Sequence, residues 1–591
     1  MFFWRNGALA LWEQDEAAYA GFALRMVTTG DWVIPEFIGA ALHQKPPLHF
    51  WAIATLYQQF GVSEFATRLP GSLAIFGMGV LLIVLGRGLW PLKMRAIAAL
   101  ICWSSLLLPV YAKIALTDGL LVFLSTLALL SWLQALRQPH WFWHGCLWLS
   151  VGLGLLTKGP PLLALVATSE IVLVICRFWS QRQTLCRGAM TRIQLIKTVS
   201  NPQDPGLVGN AHSTRVFSTV KPIVRPILQR WLLAPLAFVP LGMWIWYTLE
   251  RDGGDYIRNF LDFYLFKRLA GSTFAGQTGP PGYYAAILAI AFLSWLPWLC
   301  CALVRLWQQR QKHPEIWAWL IAGWLGYELI PSKLPSYVLG AYPLLAILIA
   351  QQVQLSCPLK MWRWGVRSFG VLSLLFTAGL GGVAIWLQSV PLGITASIWF
   401  VGNVGLLWRW QIHESWFPRR VRRPRYGQGK QENQNCSAGI LPATDQEIRK
   451  ENNAHPAQLG FWQTTAQSLL LLSLIWVWVL PSWQFQHSAP KRLTQEAIAH
   501  LEPQQTLTLV GNPDLLSVPF YLEAQDQPYQ VIADIFDVNC NDAVSNTLLV
   551  LPAIAEMPNI PHQTTVTGWF GQFGTSTTYW LIDRRDWCAA R

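Results

Sequence analysis

The chain has 591 residues, of which 53% are apolar and 13% are charged, and it contains 34 tryptophans. This composition is typical of a protein that crosses a membrane many times, and it excludes an ordinary water-soluble enzyme. The formal net charge is +13, but the basic residues gather in separate segments between apolar stretches. We therefore expect contact with a lipid bilayer and no binding of nucleic acid.

Long apolar runs dominate the sequence. Each membrane-crossing helix needs about 20 apolar residues to cover roughly 30 Å of hydrocarbon. Runs of suitable length predict about twelve spans. They cover 67–89, 96–112, 118–136, 142–157, 160–178, 231–249, 283–304, 315–331, 335–352, 364–387, 392–410 and 460–481. The segment Met1–Trp12 is apolar but too short for a span, and it lacks the cleavage site of a signal peptide.

The charge distribution predicts which loops face the cytoplasm, where Lys and Arg are enriched. Nine Lys or Arg accompany one acid from Arg177 to Arg230, and nine accompany four acids from Arg409 to Lys450. The tail from Ser482 has five Lys or Arg against eleven Asp or Glu. We therefore expect basic cytoplasmic loops at 178–230 and 411–459, and an extracytoplasmic tail.

The segment from Gln14 to Trp51 is unusually polar for this chain. It carries the charged or ionisable side chains of Asp15, Glu16, Arg25, Asp31, Glu36, His43 and Lys45. A charged side chain at bilayer depth costs about 2.5–3.5 kcal/mol on insertion scales. These groups therefore belong at a water interface, and we assign 13–66 as the first extracytoplasmic loop, including a short amphipathic interfacial helix after Pro47.

Two residues of this loop are candidate functional groups. Asp15 precedes a predicted helix from about Glu16 to Thr28, which places Tyr19 one turn away from it. Lys45 precedes two prolines, which force an extended backbone and fix the direction of its side chain. A helix cap and a lysine that reaches to the interface would explain the same residues without chemistry.

Later segments add three cations or acids at predicted helix ends. In YAKIALTDGLL, Asp118 begins a span, and in GLLTKGPP, Lys158 ends one just before Gly159. An N-cap and a lysine on the last carbonyls of a helix are the ordinary explanations. In PSKLPSY, Lys333 lies between two prolines and Tyr337 begins a span, where interfacial anchoring is the alternative.

The order of these motifs resembles a known family. Asp-Glu-x-x-Tyr-Ala, Gly-Asp-Trp-x-x-Pro and Lys-Pro-Pro-Leu-x-x-Trp are followed by Thr-Asp, Thr-Lys-Gly-Pro and Lys-x-Pro-x-Tyr. This order is similar to that of the polyprenyl-phosphate-dependent glycosyltransferases of the GT-C class. The group in question contains the lipid A 4-amino-4-deoxy-L-arabinose transferases and the dolichyl-phosphate-mannose protein mannosyltransferases. The resemblance covers about 12–165 and 331–348 and is absent from the tail.

The resemblance implies an inverting transfer of a sugar from a polyprenyl phosphate to a lipid, glycan or protein acceptor, at the extracytoplasmic face of the inner membrane. It places Asp15, Glu16 and Asp118 among the catalytic acids. It places Lys45, Lys158, Lys333, Tyr337 and Tyr19 on the phosphate or the lipid donor. Such a reaction needs a carboxylate to take the acceptor's proton and cations to hold the departing phosphate.

The chain departs from this family in three respects. The aminoarabinose transferases usually have Arg at the position of Ala18 and an acid at the position of Gln44. These differences argue against the same sugar specificity more than against the reaction class. Family members usually also carry one more membrane helix ahead of the acidic loop, so either the true gene starts earlier or that helix is missing.

Two other functions remain open at this stage. A transporter or flippase of lipid-linked sugars predicts ionisable residues at mid-span and an internal repeat. The predicted spans are largely uncharged except near their ends, and no such repeat is evident. An inactive relative that only binds polyprenyl phosphate fits the departures. The carboxylates are also able to hold a divalent cation, although their spacing does not require one and we predict no firm cofactor.

The predicted fold class is an all-α polytopic membrane protein of GT-C type with interfacial helices and a small C-terminal α/β domain. We divide the chain into a membrane glycosyltransferase domain at 1–487 and an extracytoplasmic domain at 488–591. Alternating apolar residues in the tail predict three or four strands with one or two helices and an accessory role. Cys540 and Cys588 share the oxidising side, where a disulfide is able to form.

Overall fold

The computed structural model describes residues 2–12, 15–38, 45–179, 228–262, 278–310, 312–355, 359–386, 388–415, 456–481, 489–501, 506–510, 516–532, 538, 540, 547–552, 564–569 and 576–590. Most of the predicted basic loops 178–230 and 411–459, and the departing residue Gln44, lie outside these ranges. The described chain is mostly helical, with one sheet of five strands near the C-terminus.

The first half of the chain forms ten main helices within the described ranges, and a further short helix at 228–231 precedes the ninth of them. The ten main helices are α1 (Asp15–Thr29), α2 (Leu48–Phe60), α3 (Glu64–Leu85), α4 (Leu92–Ser104), α5 (Leu108–Lys113), α6 (Thr117–Arg137), α7 (Trp141–Lys158), α8 (Pro161–Trp179), α9 (Ala234–Asp252) and α10 (Asp255–Leu261). Helix α2 has 13 residues, too few to span, in agreement with the predicted interfacial helix.

The second half continues the helical bundle. Its α-helices are α11 (Tyr283–Ala291), α12 (Leu296–Gln308), α13 (Pro314–Gly323), α14 (Tyr342–Gln354), α15 (Leu359–Trp386), α16 (Val390–Ser415) and α17 (Pro456–Leu474). Short 3₁₀ helices cover Leu293–Trp295, Leu325–Leu329 and Pro335–Ala341, and a π-helix covers Ile475–Val479.

The protein crosses the membrane several times. Within the described residues, seven helices are long and apolar enough to span a membrane. They cover Glu64–Leu85, Thr117–Arg137, Pro161–Trp179, Leu228–Asp252, Pro335–Gln354, Met361–Trp386 and Val390–Arg409. The pair Tyr283–Ala291 and Leu293–Gln308, bent by 81°, would make an eighth. The remaining predicted spans fall on shorter or less apolar helices, so the number twelve stays a prediction.

A buried arginine joins the N-terminal segment to the bundle. Arg68, on the first turns of α3, is 0% exposed. It donates to both carboxylate oxygens of Glu16 at 2.8 Å and to the carbonyl oxygens of Asn6, Leu9 and Ala10 at 2.7–3.0 Å. One guanidinium therefore fixes the chain that leads into α1.

Glu16 completes this junction from the other side. Besides Arg68, its carboxylate accepts hydrogen bonds from the backbone N–H of Trp12 at 2.9 Å and of Ala115 at 2.8 Å. Ala115 precedes α6, so the start of α1, α3 and the start of α6 meet at one carboxylate. Its charge is stabilised by four donors, as a buried carboxylate requires.

The C-terminal region contains a mixed sheet, which confirms the predicted α/β fold of the tail. The strands are β1 (Thr506–Val510), β2 (Tyr529–Ile532), β3 (Thr547–Pro552), β4 (Thr564–Trp569) and β5 (Ser576–Asp583), in the order β2-β1-β3-β5-β4. Strands β1, β2 and β3 are parallel, and β5 is antiparallel to β3 and β4. The sequence analysis missed β4 because its threonine-rich edge sequence has few apolar residues.

Three helices accompany the sheet in the described part of the tail. They are α18 (Pro490–Ala499), α19 (Ser517–Glu523) and α20 (Arg584–Ala590). A disulfide joins Cys540 to Cys588, a pairing that the sequence analysis left open. The hydroxyl of Tyr521 on α19 accepts from the N–H of Leu11 at 2.9 Å and donates to Glu64 at 3.2 Å. The sheet domain therefore lies on the same side of the bundle as the first loop.

The Glu16–Arg68 pair provides a test of this junction. We expect Glu16→Gln to lower the free energy of unfolding by about 3–5 kcal/mol, because it leaves the buried guanidinium without its counter-charge and turns an amide N–H₂ toward N–H donors. Thermal denaturation in detergent measures the loss. Asp255→Asn is the matched control, since its ion pair with Arg258 is 73–74% exposed. Equal melting temperatures for both variants would contradict the role of the pair.

Candidate active site

Asp15, Tyr19 and Lys45 form the first cluster, at one end of the bundle. Helical spacing brings Tyr19 above Asp15, and the phenol donates to Asp15 Oδ1 at 3.4 Å. Lys45 Nζ donates to the Tyr19 hydroxyl and lies 3.7 Å from Asp15 Oδ1. The side chain of Asp15 is 51% exposed and that of Lys45 only 9%. The carboxylate therefore faces water while the ammonium is held in the protein.

The backbone around Lys45 is fixed from the other side by α9 and α10. Tyr256 on α10 donates its hydroxyl to the Lys45 carbonyl at 2.7 Å. The Tyr256 ring packs edge-on against Trp244, whose indole N–H donates to the Val33 carbonyl at 2.8 Å. These contacts hold the backbone of Lys45 in a position from which its ammonium donates to the Tyr19 hydroxyl.

Asp118 and Lys158 form the second cluster. Asp118 lies on the first turn of α6 and Lys158 is the last residue of α7, and their side chains form an ion pair of 2.6 Å. Both side chains are largely buried, at 10% and 14% exposure. A Cβ on the neighbouring Gly119 would lie 3.3 Å from the Gly71 Cα. This close approach of α3 and α6 fixes the position of the carboxylate.

A small cleft connects Asp118 to the Lys333 motif. Asp118, Ser125, Ser336 and Tyr337 contribute polar groups to its lining, among the apolar side chains of α6, α8 and the Pro335–Ala341 turn. Tyr337 therefore borders the same space as Asp118.

A row of tyrosine rings lies between Lys333 and this cleft. Its ammonium donates to the Glu328 carbonyl at 2.9 Å, lies 3.6 Å from Glu328 Oε2 and sits 5.1 Å from the centre of the Tyr284 ring. The Tyr284 ring packs against Tyr327, and Tyr327 packs against Tyr337 at 5.6 Å. Lys333 is thus adjacent to the Asp118 cleft, and its ammonium is paired with the carboxylate of Glu328.

His49 lies beside the first cluster. It is 0% exposed, on the first turn of α2, and its ring meets that of Tyr19 edge-on at 6.1 Å. Burial, opposed by the Ala115 carbonyl, lowers the pKa of His49 from 6.5 to about 4; the charge of Lys45 lowers it further and that of Asp118 raises it. The imidazole is therefore neutral and within electrostatic range of both clusters.

Glu16 occupies a different environment from the other predicted acids. It is 1% exposed, and its oxygens are engaged by Arg68 and by backbone N–H groups. A proton acceptor in catalysis has to reach substrate. The geometry therefore favours a structural role for Glu16 over the catalytic role predicted from its place beside Asp15.

Sequence reasoning missed several groups that build this site. Arg68 falls inside a predicted span, and an ionisable residue there is a signal that calls for a buried partner. Glu328 also falls inside a predicted span, 315–331, and therefore gives the same signal. Tyr256 gave no local signal, because it acts on the backbone of Lys45, far away in the sequence. His49 is a lone histidine on an amphipathic helix, which is ordinarily a core residue.

The predicted divalent cation has no support from clustering. Within the described ranges, no three His, Cys, Asp or Glu side chains come together as metal ligands would. Asp118 and Glu16 each face a cation of the protein instead. The binding of a metal stays an untested prediction.

The known proteins to which this chain is similar come from the group that its motifs resemble. A family model described as dolichyl-phosphate-mannose-protein mannosyltransferase matches residues 44–196. This segment begins beside Lys45 and includes Asp118 and Lys158.

Two curated proteins illustrate the relatives. Undecaprenyl phosphate-alpha-4-amino-4-deoxy-L-arabinose arabinosyl transferase 2 of Sodalis glossinidius is 26% identical over 376 residues, covering 62% of this chain and 59% of that protein. The corresponding transferase of Yersinia pestis is 26% identical over 393 residues, covering 65% of this chain and 62% of that protein. The chain thus matches about three fifths of the length of these relatives.

Solved structures show that the fold is of the same type. ArnT from Cupriavidus metallidurans bound to undecaprenyl phosphate aligns with a TM-score of 0.64 at 16% identity, covering 98% of this chain and 95% of that one. The apo form of the same protein aligns with a TM-score of 0.62 at 16% identity, over the same shares of both chains. The predicted GT-C type of fold is thereby confirmed.

The buried His49 makes stability depend on pH. Its pKa is lowered on folding, so between pH 6.5 and about 4 the unfolded chain binds more protons than the folded one. Acidification through this window is expected to lower the free energy of unfolding by about 3 kcal/mol through this group alone. Between pH 7.5 and pH 4.5, in detergent, the melting temperature of the wild type should fall further than that of His49→Gln. His500→Gln, at a partly exposed position, is the control. An equal fall in wild type and His49→Gln would contradict the assignment of a neutral buried ring.

Proposed function

We propose that this protein moves a sugar from a polyprenyl-phosphate donor to a lipid, glycan or protein acceptor on the extracytoplasmic face, with inversion at the anomeric carbon. The observation that carries the proposal is the pair of lysine–carboxylate clusters, Asp15–Lys45 and Asp118–Lys158, at the outer end of an apolar helical bundle. The names of the relatives support the proposal, because both are named as undecaprenyl phosphate-alpha-4-amino-4-deoxy-L-arabinose arabinosyl transferases.

The clusters suit a reaction that delivers negative charge to a water-accessible pocket. Without substrate, each ammonium is neutralised by a carboxylate, so a mostly buried site holds little net charge. A donor phosphate is able to replace either carboxylate as the partner of its lysine, since charge-assisted hydrogen bonds to phosphate are strong. Lys45 and Lys158 then stabilise the leaving group as the glycosidic bond breaks, and Lys333 and Tyr337 are close enough to assist from the adjoining cleft.

Asp15 suits the role of general base because its side chain is half exposed. In an in-line displacement, the base and the departing phosphate lie on opposite sides of the anomeric carbon. Asp15 and Lys45 are 3.7 Å apart without substrate, so donor binding has to separate them. The phosphate draws Lys45 away, and the carboxylate is left to accept the acceptor's proton. Asp118 would position the sugar.

The bilayer supplies the second half of the donor site. A polyprenyl chain is an apolar polymer and needs hydrocarbon or apolar helices around it, which explains why a polar reaction centre is attached to so many spans. The sugar is a separate question. Ala18 is fully buried in α1 and lacks the charge of the arginine that the aminoarabinose transferases usually have at this position, so we propose a different sugar from theirs.

The outer location of the site is the second part of the proposal, supported by the basic segments predicted for the opposite face. A membrane-impermeant maleimide applied to intact cells should label Thr29→Cys, an exposed position at the end of α1. Lys93→Cys, exposed beyond the far end of α3, should react only after permeabilisation. The opposite labelling pattern would place the site in the cytoplasm.

Asp15→Asn tests the proposed base. We expect it to lower kcat by roughly 10²- to 10⁴-fold, because the amide is unable to accept a proton, while the folded protein persists. Release of polyprenyl phosphate from a panel of polyprenyl-phosphate sugars, with candidate acceptors, measures turnover in purified protein. Asp31→Asn in the same loop is the matched control. Turnover of Asp15→Asn close to that of wild type would refute the role of Asp15, and no release by wild type with any donor would refute transfer itself.

A further inference from the structure

A groove runs between α16 and α17, on a part of the bundle that the candidate site does not use. Its volume is about 730 Å³, which lies within the range of ligand sites in proteins, roughly 300–1,000 Å³. The lining is mostly apolar and includes Gly405 of α16 and Leu470 of α17. A Cβ at Gly405 would meet nothing within 4 Å, so the groove is open at the level of this residue.

The two helices that form the groove run in opposite directions. The side chain of Gln467 on α17 donates to that of Asn403 on α16 at 3.0 Å. Leu392, near the start of α16, shares a hydrophobic cluster with Val479, just beyond the end of α17. After Val479 the chain enters the C-terminal domain, which lies on the side of the first loop. Arg409, toward the other end of α16, therefore lies at the end of the groove that is remote from the candidate site.

Arg409 gives this remote end of the groove a positive charge. Its side chain lines the groove and, within the described residues, has no hydrogen-bond or ion-pair partner. Trp408 and Trp462 are each 67% exposed, and the antiparallel arrangement places them at the same level on the two helices. Because tryptophans are enriched at the depth of the lipid headgroups, we expect the guanidinium to lie at the level of the phosphates of one leaflet.

The sequence adds charge of the same sign just beyond Arg409. From Gly405 to Arg425, six arginines accompany a single acid, Glu414. Basic segments next to a membrane helix attract anionic lipids, and basic pockets between membrane helices bind their headgroups. The phosphate of a sugar donor would lie at the candidate site, far from this cation. The charge therefore favours an anionic phospholipid of the leaflet remote from the candidate site.

The length of the groove fits the same kind of ligand. The lining residues of α16 extend from Thr395 to Arg409, which is about 21 Å along a helix. One leaflet contributes half of the hydrocarbon core, or about 15 Å. An acyl chain whose headgroup lies at Arg409 therefore has room to lie in the groove over the whole depth of its leaflet.

We propose that the groove between α16 and α17 binds an anionic phospholipid, with its phosphate on the guanidinium of Arg409 and one acyl chain along Gly405. The lipid would belong to the leaflet remote from the candidate site and would fill the space between two membrane helices. This inference is independent of the proposed glycosyl transfer, because it uses none of the residues assigned to that reaction.

Lipid retention tests the headgroup half of the site. Nanodiscs with equal amounts of phosphatidylglycerol and phosphatidylcholine, carrying the same acyl chains, supply both lipids to the protein. Native mass spectrometry of the released protein then counts the lipids that stay bound, and we expect wild type to retain phosphatidylglycerol preferentially. Arg409→Gln should reduce this preference roughly 5- to 10-fold, because one cation near the headgroup is lost. Arg310→Gln, at an exposed arginine beside Trp307 outside the groove, is the matched control.

Gly405→Leu tests the acyl-chain half of the site. The new side chain has space to enter the groove, so it should reduce the retention of both lipids without lowering the melting temperature in detergent. Gly379→Leu on α15 is the matched control, because a Cβ at Gly379 also meets nothing within 4 Å and this residue does not line the groove.

Three results would overturn the inference. The first is equal retention of the two lipids by wild type, and the second is unchanged retention in Gly405→Leu. The third is displacement of the retained phosphatidylglycerol by a small excess of undecaprenyl phosphate, which would assign the groove to the polyprenyl donor. If wild type retains no phospholipid at all, another part of the chain fills the groove and the proposed site does not exist.

Discussion

The end of the bundle that carries the candidate site depends on one buried ion pair, that of Arg68 with Glu16. The guanidinium is closed to water and takes its counter-charge from the start of α1, and the same carboxylate holds the backbone before α6. Asp15 is the residue next to Glu16, and Asp118 lies three residues beyond Ala115. The carboxylates of Asp15 and Asp118, to which we assign roles in the proposed reaction, are therefore positioned by a single interaction that touches neither of them.

This arrangement follows from the low dielectric of the surroundings. Uncompensated charge in or near hydrocarbon is expensive, so each ammonium of the site is stored against a carboxylate, Lys45 with Asp15, Lys158 with Asp118 and Lys333 with Glu328. Because each ammonium is paired with a carboxylate, the site carries little net charge. In the proposed reaction, an arriving phosphate would take the lysines as partners, and the carboxylates released from them would become available to the sugar and the acceptor.

Local features of the site could be predicted from sequence, because helix signals are local. Asp15 and Tyr19 lie one turn apart on α1, and Asp118 lies in the first turn of α6. Lys158 ends α7 before Gly159, whose φ of +81° suits glycine. The partners of these groups could not be predicted. Glu16 looks like a second catalytic acid until Arg68, 52 residues away, is placed beside it.

The central claim is that the lysines of the two outer clusters share one polyprenyl phosphate. A structure of the protein in nanodiscs with undecaprenyl phosphate tests it most directly. The account predicts the phosphate between Lys45 and Lys158, with Lys158 turned away from Asp118. A phosphate bound at another place on the protein, with both lysines still on their carboxylates, would contradict it.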